Sequence, residues 1–190
     1  MANKRKENVK KEKQIISVAR FNTSKGQETL LKAIPIVLKD FPNYIFIFVG
    51  SGILLKKQKQ LAKTLNIDKS CLFCGNLPQE KVYELMQMSK LHVSTSKDEA
   101  FGIVNLEAIS LGTPLLAPKV GGIPEILENN INGFFYNKND YKDLAFKIIE
   151  IISSDKIYKR LVKGSITTFE EKFLLNKSNL QKIVSQIEKK

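Results

Sequence analysis

The sequence has few of the side chains that build metal and redox sites. It contains no tryptophan, one histidine and two cysteines in 190 residues. The cysteines, Cys71 and Cys74, form a single Cys-Leu-Phe-Cys, whereas a structural zinc site takes four ligands. The lone His92 lies in an apolar stretch. We therefore expect no metal and no redox centre, and we interpret both cysteines as small buried apolar side chains and His92 as a core residue.

Long apolar runs are also missing. The longest ones, such as Tyr44–Val49, are far too short to span a bilayer. The first residues, MANKRKENVKKEK, lack the apolar segment of a signal peptide. With 43% hydrophobic and 26% charged residues, the composition is that of an ordinary globular domain. We expect a cytoplasmic protein with a single core.

The net charge of +12 is concentrated at the two ends of the chain. Residues 1–13 carry six basic and two acidic side chains, and residues 156–190 carry nine and three. Residues 14–155 are nearly balanced, with sixteen basic and fourteen acidic side chains. Because no nucleic-acid recognition motif accompanies this charge, we expect no nucleic-acid partner. Basic ends favour solvation, or contact with an anionic surface such as the inner face of a membrane.

Strand-like and helix-like patterns alternate along the chain. Apolar strands are predicted at 14–19, 44–50, 71–75, 90–96, 113–118 and 133–136. Helices are predicted at 24–40, 54–66, 79–88 and 140–154, with two more after Gly102 and Gly122 and one or two in the tail. This order predicts an α/β fold, a doubly wound Rossmann-like parallel sheet with helices on both faces. Ser24 is the expected cap of the first helix, and Pro35 is expected to kink it.

Two cations flank the first strand-to-helix turn. Arg20 ends the strand and Lys25 opens the helix. A helix N-terminus carries partial positive charge and unpaired N–H groups, so a second cation there is locally unfavourable. A single lysine in this position is usually just solvated. Two converging cations fit a phosphate held between them and the helix end.

The stretch "SKDEAFGIVNLEAISLG" holds two glutamates with seven residues between them. Gly102 precedes an apolar helix, so the N–H groups of Ile103 and Val104 become donors suited to an anion. Glu107 shares the apolar stripe of Ile103 and therefore needs hydrogen-bond donors, from a ligand hydroxyl or from the core. Taken alone, Glu99 and Glu107 are also typical of an exposed loop and a helix surface.

Further along, the sequence "KVGGIPEI" opens another helix. Gly121 and Gly122 permit tight backbone geometry, and Pro124 suits a first helical turn. The pattern fits a simple turn and a ligand-binding loop equally well.

Together these strings resemble a known family. "EAFGIVNLEAISLGTPLLAPKVGGIPEIL" is similar to the signature of the retaining GT-B glycosyltransferases of group 1, and "SVARFNTSKGQETLLKAI" resembles that family's first strand and helix. The strings "YIFIFVGSG" and "CLFCGNLPQEKVYELMQMSKLHVSTS" lie between them in the family's order. The resemblance covers roughly residues 14–155. It implies one half of a GT-B fold, the C-terminal domain that binds a nucleoside-diphosphate sugar.

The resemblance also implies roles for particular residues of this chain. It assigns the donor diphosphate to Arg20, Lys25 and the N–H groups of Ile103 and Val104. It assigns the donor sugar to Glu99, Phe101 and Gly102, with Glu99 as the catalytic carboxylate. The ribose is assigned to Glu107, and the base to the loop of Gly75, Asn76 and Leu77. It implies no cofactor and no metal, and the sequence has no Asp-x-Asp motif.

The chain departs from the family in length. GT-B enzymes have two Rossmann-like domains, and this chain has room for one. We expect residues 1–13 to be a basic linker, 14–155 the donor-binding domain and 156–190 C-terminal helices. We therefore expect the N-terminal acceptor domain to be a partner that this chain lacks. The chain is then either an excised domain or half of a two-subunit enzyme. The alternative to an enzyme module is a stand-alone nucleotide-sugar-binding module without turnover.

Overall fold

A computed structural model of the protein describes residues 9–174. Its centre is a sheet of six strands in the order β3-β2-β1-β4-β5-β6, and every strand pair is parallel. The strands are β1 (Gln14–Val18), β2 (Ile45–Val49), β3 (Cys71–Gly75), β4 (Leu91–Val93), β5 (Leu115–Pro118) and β6 (Gly133–Tyr136). The strand order reverses between β1 and β4, so the loops that follow these two strands diverge and leave a crevice.

Helices connect the strands and cover both faces of the sheet. They are α1 (Gln27–Asp40), α2 (Leu55–Thr64), α3 (Gln79–Met88), α4 (Ile103–Ser110), α5 (Ile123–Ile126), α6 (Tyr141–Ser153) and α7 (Asp155–Thr168), with a 3-10 turn at Asp68–Ser70 and a π-helical turn at Phe169–Leu174. None of the helices in this part of the chain is long and apolar enough to cross a membrane.

The strands are apolar on both faces because each face is buried. Ile15 and Phe46 pack with α1, α2 and α6, whereas their neighbours Ile16 and Ile47 pack with α3 and α4. A third cluster joins α4, α5 and the π-helical turn. The near-continuous apolar strands of the sequence are therefore those of a parallel sheet covered on both sides, and the predicted fold class is confirmed.

The start of α1 differs from the sequence prediction. Gly26, with a φ of 57°, precedes the first helical residue, and Ser24 instead donates from its Oγ to Asn22 Oδ1 at 2.9 Å. A Cβ on Gly26 would lie 2.5 Å from the carbonyl oxygen of Thr95, in the loop after β4. Glycine is therefore needed for the close approach of the two loops. The helix continues through Pro35 without a break.

The predictions for His92, for the two cysteines and for the chain ends have different outcomes. His92 is 1% exposed, which confirms it as a core residue. Cys71 and Cys74 are free thiols that pack against the two larger apolar clusters but are only half-buried, so the expected burial is partial for both. Part of the predicted linker, residues 1–8, and part of the predicted C-terminal helices, residues 175–190, lie outside the described residues.

Candidate functional site

A cavity of about 360 Å³ opens at the carboxyl ends of β1 and β4. The loop after β1, the loop after β4 and the first turn of α4 form its walls. Many of the residues predicted from the sequence line it, namely Arg20, Lys25, Glu99, Phe101, Gly102, Ile103 and Val104. Glu107 and the predicted base loop, Gly75, Asn76 and Leu77, do not line this cavity. The charged loop residues thus lie together in the crevice between β1 and β4, where the strand order reverses.

Lys25 and Glu99 form an ion pair at the mouth of this cavity. The Nζ of Lys25 lies 2.6 Å from Oε2 of Glu99, and their side chains are 23% and 18% exposed. The same Oε2 accepts a hydrogen bond from Ser96 Oγ at 3.2 Å. Sequence reasoning gave these two residues separate tasks. The structure brings them together although they are 74 positions apart.

A glycine pair supports the loop that carries Glu99. The N–H of Gly122 donates to the carbonyl oxygen of Glu99 at 2.9 Å. A Cβ on Gly121, whose φ is 49°, would lie 1.9 Å from the same oxygen, and a Cβ on Gly122 would lie 2.5 Å from the oxygen of Ala100. The glycines that open α5 therefore allow its start to pack against the Glu99 loop, which is a role that sequence reasoning missed.

The first turn of α4 points its amide groups toward the cavity. Gly102 caps this helix with a φ of 90° and no side chain caps it, so the N–H groups of Ile103 and Val104 have no partner within the helix. A helix start of this kind favours an anion. Arg20, at the opposite wall, is exposed and forms no ion pair within residues 9–174. Two cations and one helix end thus face a single space.

Glu107 lies below this surface in a hydrogen-bonded group. It is 8% exposed, and its Oε1 accepts from Tyr83 Oη at 2.8 Å and from Gln79 Nε2 at 3.1 Å. Gln79 also donates to Tyr83 Oη at 2.6 Å. Burial and the neighbouring carboxylate raise the pKa of Tyr83 to about 12. The core thus supplies donors to Glu107, as one of the two sequence interpretations allowed.

Gln79 connects Glu107 to the predicted base loop. It is the first residue of α3, and Gly75, Asn76 and Leu77 come just before that helix. Gly75 ends β3 with a φ of 65°, and Leu77 packs against the cluster beneath α3 and α4. The base loop and Glu107 are therefore joined through one helix start, beside the cavity rather than in its wall.

His92 lies beneath the cavity and contacts its wall. Its Nε2 is 3.2 Å from Oδ1 of Asn105, and Asn105 lines the cavity. Burial lowers the pKa of His92 to about 4, so the ring is neutral at pH 7 and one ring nitrogen can donate to the amide oxygen. A Cβ on Gly102 would lie 2.7 Å from Nδ2 of Asn105. A side chain at position 102 would therefore crowd the buried Asn105 and strain the backbone at the start of α4.

Sequence reasoning missed four polar residues of the site: Gln79, Tyr83, Ser96 and Asn105. Gln79 and Tyr83 are four positions apart on α3, so they share a helix face, and that spacing was a usable signal. Their partner Glu107 follows Tyr83 by 24 positions, and no local pattern connects the two. No group of three or more His, Cys, Asp or Glu that could hold a metal occurs in the described part of the chain.

Comparison with known protein families gives a match over most of the chain. The family model described as "Glycosyl transferases group 1" matches residues 2–167. Among curated proteins, the chain is 29% identical to the N-acetyl-alpha-D-glucosaminyl L-malate synthase of Bacillus anthracis. That alignment covers 93% of this chain and 44% of the relative. The chain thus spans less than half the length of this relative.

Solved structures with the same fold include a longer chain and a separate domain. A variant of S. aureus TarM in complex with UDP, among other ligands, superimposes with a TM-score of 0.85 and 22% identity over 95% of this chain and 36% of that one. The C-terminal domain of a group 1 glycosyl transferase from Francisella tularensis, LpcC, gives a TM-score of 0.77 and 23% identity over 86% of this chain and 88% of that one. At these identities the likeness establishes the fold.

Proposed function

Because the chain belongs to the group 1 glycosyl transferases, we propose that it is the donor-binding domain of a retaining enzyme that transfers a hexose from a nucleoside-diphosphate sugar to an acceptor. One observation carries this proposal. Arg20, Lys25, Glu99 and the uncapped start of α4 converge on one cavity at the strand reversal of the sheet. Binding at this position is the general rule for doubly wound sheets.

The diphosphate is assigned to the positive side of this cavity. Arg20, Lys25 and the N–H groups of Ile103 and Val104 provide donors from two opposite walls. In the transfer reaction the bond between the sugar and the diphosphate breaks, and negative charge grows on the leaving phosphate. Fixed cations and amide dipoles stabilise that charge, so the proposed mechanism uses neither a metal nor a cofactor.

The donor sugar is assigned to the space beside Glu99, Phe101 and Gly102. Lys25 orients the carboxylate of Glu99 through the ion pair, and a carboxylate accepts strong hydrogen bonds from sugar hydroxyls. Phe101 is 36% exposed and offers an apolar edge next to them. Glu99 is the proposed catalytic carboxylate because the sugar undergoing transfer is assigned to the space beside it.

The nucleoside is assigned to the region around Glu107. Tyr83 and Gln79 both bond to Oε1 of Glu107, and we assign its carboxylate to the ribose hydroxyls. The base is assigned to the loop of residues 75–77, which leads directly into Gln79. The first nucleotide to test is UDP, because the TarM structure of the same fold contains it.

Transfer itself requires more than this chain contains. The chain covers 44% of its curated relative, and we propose that a second domain or subunit binds the acceptor. Holding acceptor and donor together supplies a large part of the barrier reduction, and closing the cleft excludes water. The purified chain should therefore bind the donor weakly, with a Kd on the order of 1 mM, and transfer no sugar. Contact of the basic ends with an anionic membrane surface stays a prediction, as does a cytoplasmic location.

The test is a titration followed by a transfer assay on the purified chain. Calorimetry with UDP, GDP, UDP-glucose and UDP-N-acetylglucosamine, in the presence of a chelator, measures donor binding without a metal. The same nucleotide sugars are then offered with lipid, sugar and protein acceptors. Saturable binding without turnover supports a donor-binding half. If turnover is still absent after the rest of a whole enzyme is supplied, the alternative of a binding module without catalysis is correct. Binding of none of the nucleotides contradicts both.

A further inference from the structure

Asn105 is the most deeply buried polar residue in the lining of the donor cavity. It is 2% exposed and lies in the first turn of α4. Its neighbours on the helix, Val104 and Leu106, are apolar. A polar side chain buried at such a position costs free energy unless its donors and its acceptor are paired. The partners of the Asn105 amide therefore show what the residue is for.

The oxygen end of this amide is paired with the core. Oδ1 of Asn105 lies 3.2 Å from Nε2 of His92, which is itself 1% exposed. An amide oxygen can only accept, so Nε2 is the ring nitrogen that carries a proton and donates it. His92 thereby determines which end of the amide faces the core, and the nitrogen end faces the other way.

The nitrogen end is open to the donor cavity. Nδ2 of Asn105 donates to no group within residues 9–174, and it is not sealed off as the unpaired side-chain atoms of the core are. A Cβ on Gly102 would lie 2.7 Å from this Nδ2 and 3.4 Å from Cγ of Glu99. The bare face of Gly102 is therefore enclosed by these two side chains. Nδ2 lies in the corner of the cavity to which the sugar and its phosphate are assigned.

We propose that Nδ2 of Asn105 donates a hydrogen bond to the phosphate group that carries the donor sugar. This inference rests on the proposed function, because it concerns the same cavity. The N–H groups of Ile103 and Val104 belong to the same helical turn and are also without a partner in the helix. Three neutral donors thus converge on one anion, and a hydrogen bond to a charged acceptor is stronger than one between neutral groups.

His92 is a positioning residue in this arrangement. It does not line the cavity, and it acts on the ligand only through Asn105. Without the donor at Nε2 the amide can rotate by half a turn and present Oδ1 to the phosphate, and two acceptors repel each other. A different side chain that donates from the same position would restore the orientation. Loss of His92 should therefore weaken the ligand in a way that another donor rescues.

The first test compares UDP with UMP, which lacks the second phosphate, by calorimetry on the purified chain. Asn105→Leu removes the donor at similar volume and should weaken UDP at least about tenfold. It should leave UMP within about twofold of the parent, because the lost contact belongs to the second phosphate. Asn105→Asp keeps an acceptor for His92 and places a carboxylate where Nδ2 was, so it should weaken UDP further. If Asn105→Leu does not fold, Asn105→Asp decides the question for UDP.

The second test concerns orientation. His92→Leu should weaken UDP about fivefold, whereas His92→Gln, which can donate to Oδ1, should bind within about twofold of the parent. The matched control is Leu91→Val, since Leu91 is a fully buried neighbour on β4 that packs in the cluster on the opposite face of the sheet. It removes a methylene from the core without touching Asn105, and it should leave UDP binding unchanged. Equal weakening in all three variants would make the role of His92 purely structural.

The outcomes separate this inference from the donor site itself. If the parent binds UDP and both Asn105 variants bind it equally well, the contact with Asn105 does not exist and the donor site stands. If Asn105→Leu weakens UMP as much as UDP, the contact is not with the sugar-bearing phosphate and the proposal is overturned. If the parent binds no UDP, the donor site and this inference fail together.

Discussion

The two hydrogen-bonded clusters of this site, one around each glutamate, are built in opposite ways. The Lys25 cluster, made of Lys25, Ser96 and Glu99, balances a carboxylate against a cation in partly exposed loops. The Glu107 cluster, made of Gln79, Tyr83 and Glu107, surrounds a buried carboxylate with neutral donors on two packed helices. The first can exchange partners when a charged ligand arrives, whereas the second is already fixed.

This difference indicates how the two parts of a donor molecule would be held. A diphosphate sugar brings charge and changes during transfer, so a cluster with an exchangeable ion pair suits it. A ribose is neutral and unchanged by the reaction, so a rigid acceptor suits it. The acceptor is a carboxylate in both clusters, but only the Lys25 cluster also contains a cation that can pair with a diphosphate instead.

The largest expected effect acts on the stability of the whole fold, on which both clusters depend. His92 has a pKa of about 4 in the folded chain because it is buried, against about 6.5 when unfolded. As the pH falls from 6.5 to 4 the unfolded chain gains a proton that the folded chain refuses. The free energy of unfolding should therefore fall by up to about 3 kcal/mol over this window.

Urea unfolding at a series of pH values measures this loss. His92 is the only histidine, so His92→Gln removes all histidine titration and keeps a donor for Asn105. The difference between parent and variant should flatten above pH 6.5 and change steadily below it. Parallel pH profiles for the two proteins would mean that His92 is not the acid-sensitive group.

The next effect tests the exchangeable pair. Arg20→Ala and Lys25→Ala should each weaken UDP binding by about 1.5–3 kcal/mol, since each removes a charged hydrogen bond. In Lys25→Ala the charge of Glu99 is also left facing the phosphate, so adding Glu99→Gln should restore part of the loss. Calorimetry measures the UDP affinity of the parent, the two single variants and the double variant. Arg160→Ala, on α7, is the control and should bind as the parent does. Equal affinity in Arg20→Ala, Lys25→Ala and the parent would place the diphosphate elsewhere.

A smaller effect tests the fixed cluster. Tyr83→Phe removes one of the two hydrogen bonds to Oε1 of Glu107, and because Gln79 still donates to that oxygen it should weaken UDP binding by only about 1 kcal/mol. Inorganic pyrophosphate, which has no ribose, should bind Tyr83→Phe and the parent equally. Tyr158→Phe is the matched control, because the hydroxyl of Tyr158 has no partner within residues 9–174. An equal loss for pyrophosphate would show that Tyr83 supports the whole site and not the ribose alone.

Much of the fold could be read from the sequence because its signals are local. Apolar runs such as Ile45–Val49, separated by helical spacing, are enough to predict a doubly wound sheet. The start of α1 was predicted wrongly because Ser24 is a typical cap, whereas the approach of Gly26 to Thr95 depends on a strand 65 or more positions away. Tertiary contact decided where that helix begins.

The site could be predicted as residue types but not as partners. The positions of Arg20, Lys25 and Glu99 follow from strand ends and helix starts, and that of Glu107 follows from the apolar stripe of α4. The ion pair between Lys25 and Glu99, and the donation of Tyr83 to Glu107, join elements that meet only in the folded sheet. Sequence spacing therefore finds the residue types, and the pairing of β1 with β4 decides which of them meet in one site.

The measurement that tests the account most directly compares the two glutamates on two ligands. Calorimetry is run with UDP and with the tightest-binding nucleotide sugar on the parent chain, Glu99→Gln and Glu107→Gln. We expect Glu107→Gln to weaken both ligands, because the ribose loses an ionised acceptor. We expect Glu99→Gln to bind UDP at least as tightly as the parent and to weaken only the nucleotide sugar. Equal losses of both ligands in both variants, or no binding to the parent chain, would contradict the assignment of these clusters to the ribose and the sugar.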